Sequence, residues 1–174
     1  MRLQLLPVPV AVARAVCAGG DVAAALARHG LVPAPDWPHV DTPDALRPLA
    51  EHTEHVGEDP GTFLVACGDT VVGDCGWFGP PGAAGSVEIG YGLSPSVRGR
   101  GLGSEAVRLL LDWVGARPDV TEVRAEVLPG NTASLALLAR LGFTVDGNLS
   151  GHLQLSLPLL REVGSTWARG QPPG

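Results

Sequence analysis

Residues 98–104 read Arg98, Gly99, Arg100, Gly101, Leu102, Gly103, Ser104 and join two patterned segments. Before them, residues 87–93 form an apolar run in which glycine falls at every second position near the end. After them, a helix is expected to about residue 116, with Ala106, Leu109, Leu110, Trp113 and Val114 on one face. A strand that passes through a glycine-rich turn into a helix start leaves backbone N–H groups unpaired and pointing outward. The helix dipole there favours negative charge. Arg98 and Arg100 add formal positive charge beside those amides. The chemistry this suits is the holding of a cofactor diphosphate; a plain connecting turn is the alternative.

Spacing narrows the ligand. A lysine-bearing phosphate loop needs a Lys-Ser/Thr pair after its last glycine, whereas Ser104 and Glu105 follow Gly103. The dinucleotide fingerprint G-x-G-x-x-G is absent, because Gly99, Gly101 and Gly103 fall at alternate positions. What remains is Arg98-x-x-Gly101-x-Gly103.

Glu88 is the candidate general base. Strand alternation sets Glu88, Gly90 and Gly92 on one face and Ile89, Tyr91 and Leu93 on the other. Glycine at both same-face neighbours is costly in a strand. The pair is expected to leave an open slot beside the carboxylate, a candidate substrate pocket. The bulky set, Tyr91 included, is expected to pack away from it under a helix. An ordinary glutamate pKa near 4.3 is low for deprotonating an ammonium, so burial or a relaying water has to help. A solvent-facing strand residue is the alternative reading of Glu88.

The other chemistry-bearing side chains carry less. Glu51, His52, Glu54 and His55 share an expected helix over residues 43–55, but its histidines are three apart, and paired metal ligands on a helix are usually four apart. No metal is expected. His29, His39 and His152 are isolated in sequence and receive no role. Cys17, Cys67 and Cys75 are odd in number and lack metal-type spacing, which fits reduced thiols. None has a recognisable base partner, so none is an evident nucleophile. Trp37 lies in a proline-rich loop over residues 32–43; it either pins that loop to the core or lines the substrate pocket.

These residues need a scaffold, and 174 residues suffice for one domain with a real core. Residues 1–163 are assigned to that domain and 164–174 to a loose tail. A net charge of −6 argues against nucleic acid as the main partner and is compatible with a cationic amine. No apolar run reaches the roughly 18 residues of a membrane span. Residues 1–20 loosely mimic a signal peptide, but Pro7, Pro9 and Arg14 interrupt the apolar segment, and a cytoplasmic location is expected.

The pattern predicts a strand at 3–8, a helix from Pro9 to about residue 18, and a second helix at 22–28 capped by Asp21. Thr42 is expected to cap the helix at 43–55. Strands at 62–67 and 71–78 form a hairpin through Gly68-Asp69. A strand at 121–128, a helix at 133–141 closed by Gly142, and paired strands at 143–145 and 153–157 complete the list.

Arg98-x-x-Gly101-x-Gly103 resembles the acyl-CoA diphosphate motif of the GNAT acetyltransferases, Arg/Gln-x-x-Gly-x-Gly/Ala. With Glu88 in the strand and Asn131 opening the segment NTASLALLARLGF, the likeness covers about residues 62–157. It is nearest to the RimJ/RimL-like branch, whose members often have Glu in the strand, Asn and Ser in this helix, and a Gly-Phe ending. The resemblance implies an α+β fold: a mixed, mostly antiparallel sheet flanked by helices, with a V-shaped splay between two parallel strands. Acyl-CoA lies in that gap. The amides of residues 98–104 should hold the diphosphate. Backbone near Leu93 should bond the pantetheine and steady the thioester carbonyl. Asn131 should bond the pantetheine arm from the other side, and Ser134, one turn on, faces the same way.

One position departs from the family pattern. Many members place a tyrosine seven residues after this asparagine as general acid, and here that residue is Leu138. Ser134 is either a substitute acid or a capping or surface serine, and coenzyme A thiolate can also leave without protein help. The resemblance implies an N-acetyltransferase using acetyl-CoA as co-substrate, by direct attack in a ternary complex. The acceptor is a primary amine, either a protein N-terminus or a small molecule. A CoA-binding sensor without turnover is the rival, and a homodimer is left open.

Overall fold

A computed structural model of the chain describes residues 3–51, 61–79, 81–82 and 84–159. The N-terminal part runs β1 (Leu3–Pro7), α1 (Val10–Cys17), α2 (Val22–Ala27), the two-residue β2 (Val32–Pro33) and α3 (Thr42–Glu51). Then come β3 (Thr62–Cys67), β4 (Thr70–Phe78) and β5 (Ser86–Leu93). The chain ends with α4 (Leu102–Gly115), β6 (Glu122–Val127), α5 (Thr132–Arg140), β7 (Thr144–Leu149) and β8 (His152–Pro158).

These strands form one mixed sheet in the order β1-β3-β4-β5-β6-β8-β7, with β2 beside β4. Along that path every neighbouring pair is antiparallel except β5–β6. The burial pattern follows from position. β3 and β4 are covered on both faces and read as continuous apolar runs. β6 alternates buried and exposed residues, one face dry and one wet. α4 buries Ala106, Val107, Leu110 and Val114. Its Trp113, expected on the apolar face, lies at the edge of the stripe and is 46% exposed, with its ring 5.2 Å from that of Phe63.

The feature that makes a site is a split in this sheet. β5 and β6 pair only at Ser86–Glu122, Val87–Val123 and Glu88–Arg124. Beyond Glu88, β5 stays with β4 as far as Leu93, and β6 stays with β8 as far as Val127. The two parallel strands therefore diverge, as the expected α+β architecture requires.

Several local expectations shift. Asp21 caps α2 as expected, accepting from the Ala24 amide at 2.8 Å. Thr42 does not cap α3 with its side chain; it is buried, and its hydroxyl donates to Asp74 instead. β7, expected to start at 143–145, runs on to Leu149, and the reversal falls at Ser150 and Gly151, both left-handed. Leu138, where the family pattern has tyrosine, is fully buried in the core. The end of the helix expected over 43–55, with its two histidines, and the tail from residue 164 lie outside the described residues.

Candidate active site

The turn into α4 supplies donors. Gly99 and Gly101 have φ of +75° and +80°, a backbone region that side chains resist. α4 has no side-chain cap at its start, and the Glu105 amide is the first to bond back, to the Gly101 carbonyl at 3.2 Å. Ahead of it the amides of Leu102, Gly103 and Ser104 have no backbone acceptor among the described residues. Such amides at the positive end of a 14-residue helix form an anion site.

A cleft of about 430 Å³ opens beside this turn. One wall is Leu93, Arg98, Gly99, Gly101, Gly103 and Ser104; the other is α5, with Asn131, Ser134 and Leu137. Gly103 lets the walls come close, since a methyl group there would lie 3.0 Å from Leu137 Cδ1. Two expected residues do not reach the cleft with their side chains: Arg100 is exposed outside it, and Leu102 packs on the core. The Arg98 guanidinium folds back, its Nε donating to the Leu93 carbonyl at 2.9 Å. That leaves the carbonyl one further lone pair for a ligand.

Asn131 and Ser134 meet as expected. The Asn131 side-chain oxygen accepts from the Ser134 amide at 3.2 Å and caps α5, which leaves its NH2 free to donate. Ser134 also borders a second cavity, about 340 Å³, between the diverging strands. Tyr91 packs against the core with its hydroxyl beside Ser134 of α5, away from the Gly90 and Gly92 face as expected, and it also contributes to the walls of the cleft and both neighbouring cavities. Its hydroxyl is buried without an aligned hydrogen-bond partner among the described residues. Burial raises the Tyr91 pKa, and the Ser134 hydroxyl on its flank pulls the other way.

A third cavity, about 400 Å³, adjoins the cleft on the β4 side. Asp41, Asp44, Asp74 and Phe78 are in its wall, with Gly90 and Gly92. The glycines do not leave the open slot expected beside Glu88. A methyl group at Gly90 would lie 2.9 Å from the Phe78 ring, and one at Gly92 would collide with the His39 ring. The absent side chains admit two rings, and the cavity opens beyond them. Glu88 is half-buried and is in the wall of none of these three cavities. Burial raises its carboxyl pKa, with Glu126 adding repulsion.

A family model described as an acetyltransferase (GNAT) domain matches residues 13–144. The chain belongs to the GNAT acetyltransferase family. It is 38% identical over 91 residues to the uncharacterized N-acetyltransferase p20 of Bacillus licheniformis, covering 52% of this chain and 51% of that protein. The chain thus matches about half the length of that relative. Among solved structures, the aminoglycoside acetyltransferase AAC(6')-Ib in complex with coenzyme A superposes with a TM-score of 0.51 at 19% identity, over 56% of this chain and 65% of that one. RimL, a ribosomal alpha-N-protein acetyltransferase, gives a TM-score of 0.50 at 22% identity, over 56% and 68%. At such identities these likenesses establish the GNAT fold.

One cluster in this GNAT chain escaped the sequence reading. Asp74, in the middle of β4, is 3% exposed. Its Oδ2 accepts from Trp37 Nε1 at 3.1 Å and from Thr42 Oγ1 at 2.8 Å. His39 Nε2 lies 3.2 Å from the same oxygen, an ion-pair distance but not an aligned hydrogen bond. Contact with Asp74 raises the His39 pKa, against the opposing effect of burial. Trp37 is therefore a pin for the loop and is in the wall of none of the three cavities. The available signal was Asp74 itself, a lone acid inside the apolar strand TVVGDCGWF. A buried carboxylate must find partners, and a loop carrying Trp37, His39 and Thr42 could supply them. Among the described residues no group of three or more His, Cys, Asp or Glu could hold a metal ion. No helix there is long and apolar enough to cross a membrane.

Proposed function

We propose that this chain is an N-acetyltransferase that moves an acetyl group from acetyl-CoA to a primary amine in a ternary complex. The observation that carries this is that the cleft and the β4-side cavity adjoin, with His39, Asp41, Tyr91 and Gly92 in the walls of both. A thioester held in one and an amine held in the other would meet at that shared wall.

The residues fit the expected co-substrate. The free amides of residues 102–104, with Arg98 near, suit a diphosphate. Backbone at Leu93 and the Asn131 amide, on opposite walls, suit a pantetheine arm. Ser134 can donate towards a departing thiolate from the α5 wall, and Tyr91 stands beside it. Glu88, the base expected from the sequence, is set back behind the Phe78 ring and would reach an acceptor only through a relaying water. For the acceptor, the aminoglycoside and ribosomal-protein acetyltransferases among the similar structures support an amine of either kind. The sequence motifs favour the RimJ/RimL-like branch.

Steady-state release of free thiol from acetyl-CoA, with a panel of small amines and peptides bearing a free N-terminus, tests this reading. Amine-dependent thiol release is expected. Thermal stabilisation by coenzyme A with no turnover on any amine would leave a binding module in its place.

A further inference from the structure

We propose that His39 takes the proton from the incoming amine, with Asp74 as the positioning residue that holds its ring over Gly92. The inference rests on the acetyl-transfer reading above.

Placement comes first. Of the four residues shared by the cleft and the β4-side cavity, His39, Asp41 and Tyr91 can titrate, and of these only histidine ordinarily does so near neutral pH. The imidazole is seated firmly. Gly92 supplies the space for it, and Asp74 faces its Nε2, which leaves Nδ1 as the nitrogen free to accept. Trp37 from the same loop and Thr42 at the start of α3 satisfy Asp74. That loop is tied again at Asp36, whose carboxylate accepts from the Ser96 amide at 2.7 Å and the Ser96 hydroxyl at 2.6 Å. A carboxylate that orients a histidine, held by further donors, is the arrangement proton-transfer sites use.

The surrounding charge suits a cation that gives up a proton. Asp41 and Asp44 stand in the cavity wall, where an ammonium group can be held. Asp74 and Asp41 favour the protonated imidazole, whereas Arg98 on the cofactor side and burial oppose it. The step balances as follows. The ammonium N–H bond breaks and its proton passes to His39 Nδ1. The freed lone pair forms the new C–N bond at the thioester carbonyl carbon. The C–S bond breaks, the thiolate takes the second ammonium proton, and His39 returns its own proton to water.

The test uses the full chain with two readouts. The first is the pH dependence of kcat/KM, with spermidine and a free-N-terminal peptide as acceptor probes, for wild type, His39→Gln, Glu88→Gln and the remote control His29→Gln. His39→Gln should lower kcat by roughly 10²–10⁴-fold and abolish the acidic limb of the profile, while coenzyme A still raises its melting temperature. His29→Gln should keep both limbs. If Glu88→Gln loses the limb and His39→Gln keeps it, the proton belongs to Glu88 and the proposal is overturned. The second readout is an NMR titration of the His39 ring, which needs no turnover. A raised titration midpoint that falls in Asp74→Asn is expected. A midpoint that Asp74→Asn leaves unmoved overturns the proposal even if amine turnover is found. A wild type that binds coenzyme A but acetylates neither probe nor the wider amine panel counts against the acetyl-transfer reading instead.

Discussion

The imidazole of His39 occupies the volume that a side chain at Gly92 would fill. Replacing this glycine therefore acts on a residue far away in sequence. Gly92→Ala is expected to expel the ring, drop kcat towards the His39→Gln value, and leave coenzyme A affinity within a few-fold of wild type. Paired kcat and binding measurements check this; an alanine variant with wild-type kcat would show that the ring's seat is immaterial.

Asp74, 3% exposed, gathers a tryptophan N–H, a threonine hydroxyl and the edge of an imidazole. Asp74→Asn keeps the shape and loses the charge. A cost of about 1–3 kcal/mol is expected, from poorly satisfied buried donors. Because the folded pKa of His39 is raised, its stabilising contribution is fully present below the unfolded value near 6.5 and is lost as pH rises through the folded value. The Tm gap between wild type and Asp74→Asn should thus be widest in mild acid and should narrow towards pH 9. A gap constant with pH would contradict the pairing.

Phe63 is fully buried on β3, with the rings of Trp77 and Trp113 at 5.7 and 5.2 Å. It ties the sheet to α4, the helix that presents the amide donors. Phe63→Ala should cost about 3–5 kcal/mol in denaturant unfolding and alter tryptophan fluorescence. A cost under about 1 kcal/mol would mean that this contact does not hold α4 in place.

Tyr91 keeps a buried hydroxyl without an aligned partner among the described residues. Removing it leaves no other group stranded, so Tyr91→Phe should melt at the wild-type temperature or above it. A clear loss of Tm would reveal a bond to that hydroxyl in the folded protein.

The strand–turn–helix at residues 86–115 was legible because each part is local: β-alternation, glycines at the two left-handed positions, and an apolar stripe on α4. The turn through Asn131 into α5 was legible for the same reason, although the helix starts at Thr132, one residue before its expected start. The splay was not, because nothing in residues 89–93 marks where a neighbouring strand stops pairing. The place of Tyr91 in the cavity walls was hidden for the same reason. His39 and Asp74 were missed because their meeting depends on a loop crossing to β4, which neither helical nor strand periodicity encodes. Thr42 misled for a related reason: its hydroxyl suits a cap, and a buried carboxylate took it instead.

The central claim is that the donors around Gly101 hold the diphosphate of coenzyme A. Gly101 has φ of +80° with open space where a side chain would project, so Gly101→Val is strained by backbone conformation, at about 1–2 kcal/mol, without meeting a neighbour. Calorimetric titration of coenzyme A into wild type and Gly101→Val, with far-UV circular dichroism to confirm folding, measures this directly. Saturable one-to-one binding by wild type, weakened at least about tenfold in the folded variant, is the result the account predicts; a tenfold change corresponds to about 1.4 kcal/mol. No binding by wild type, or equal affinity in both proteins, would contradict it.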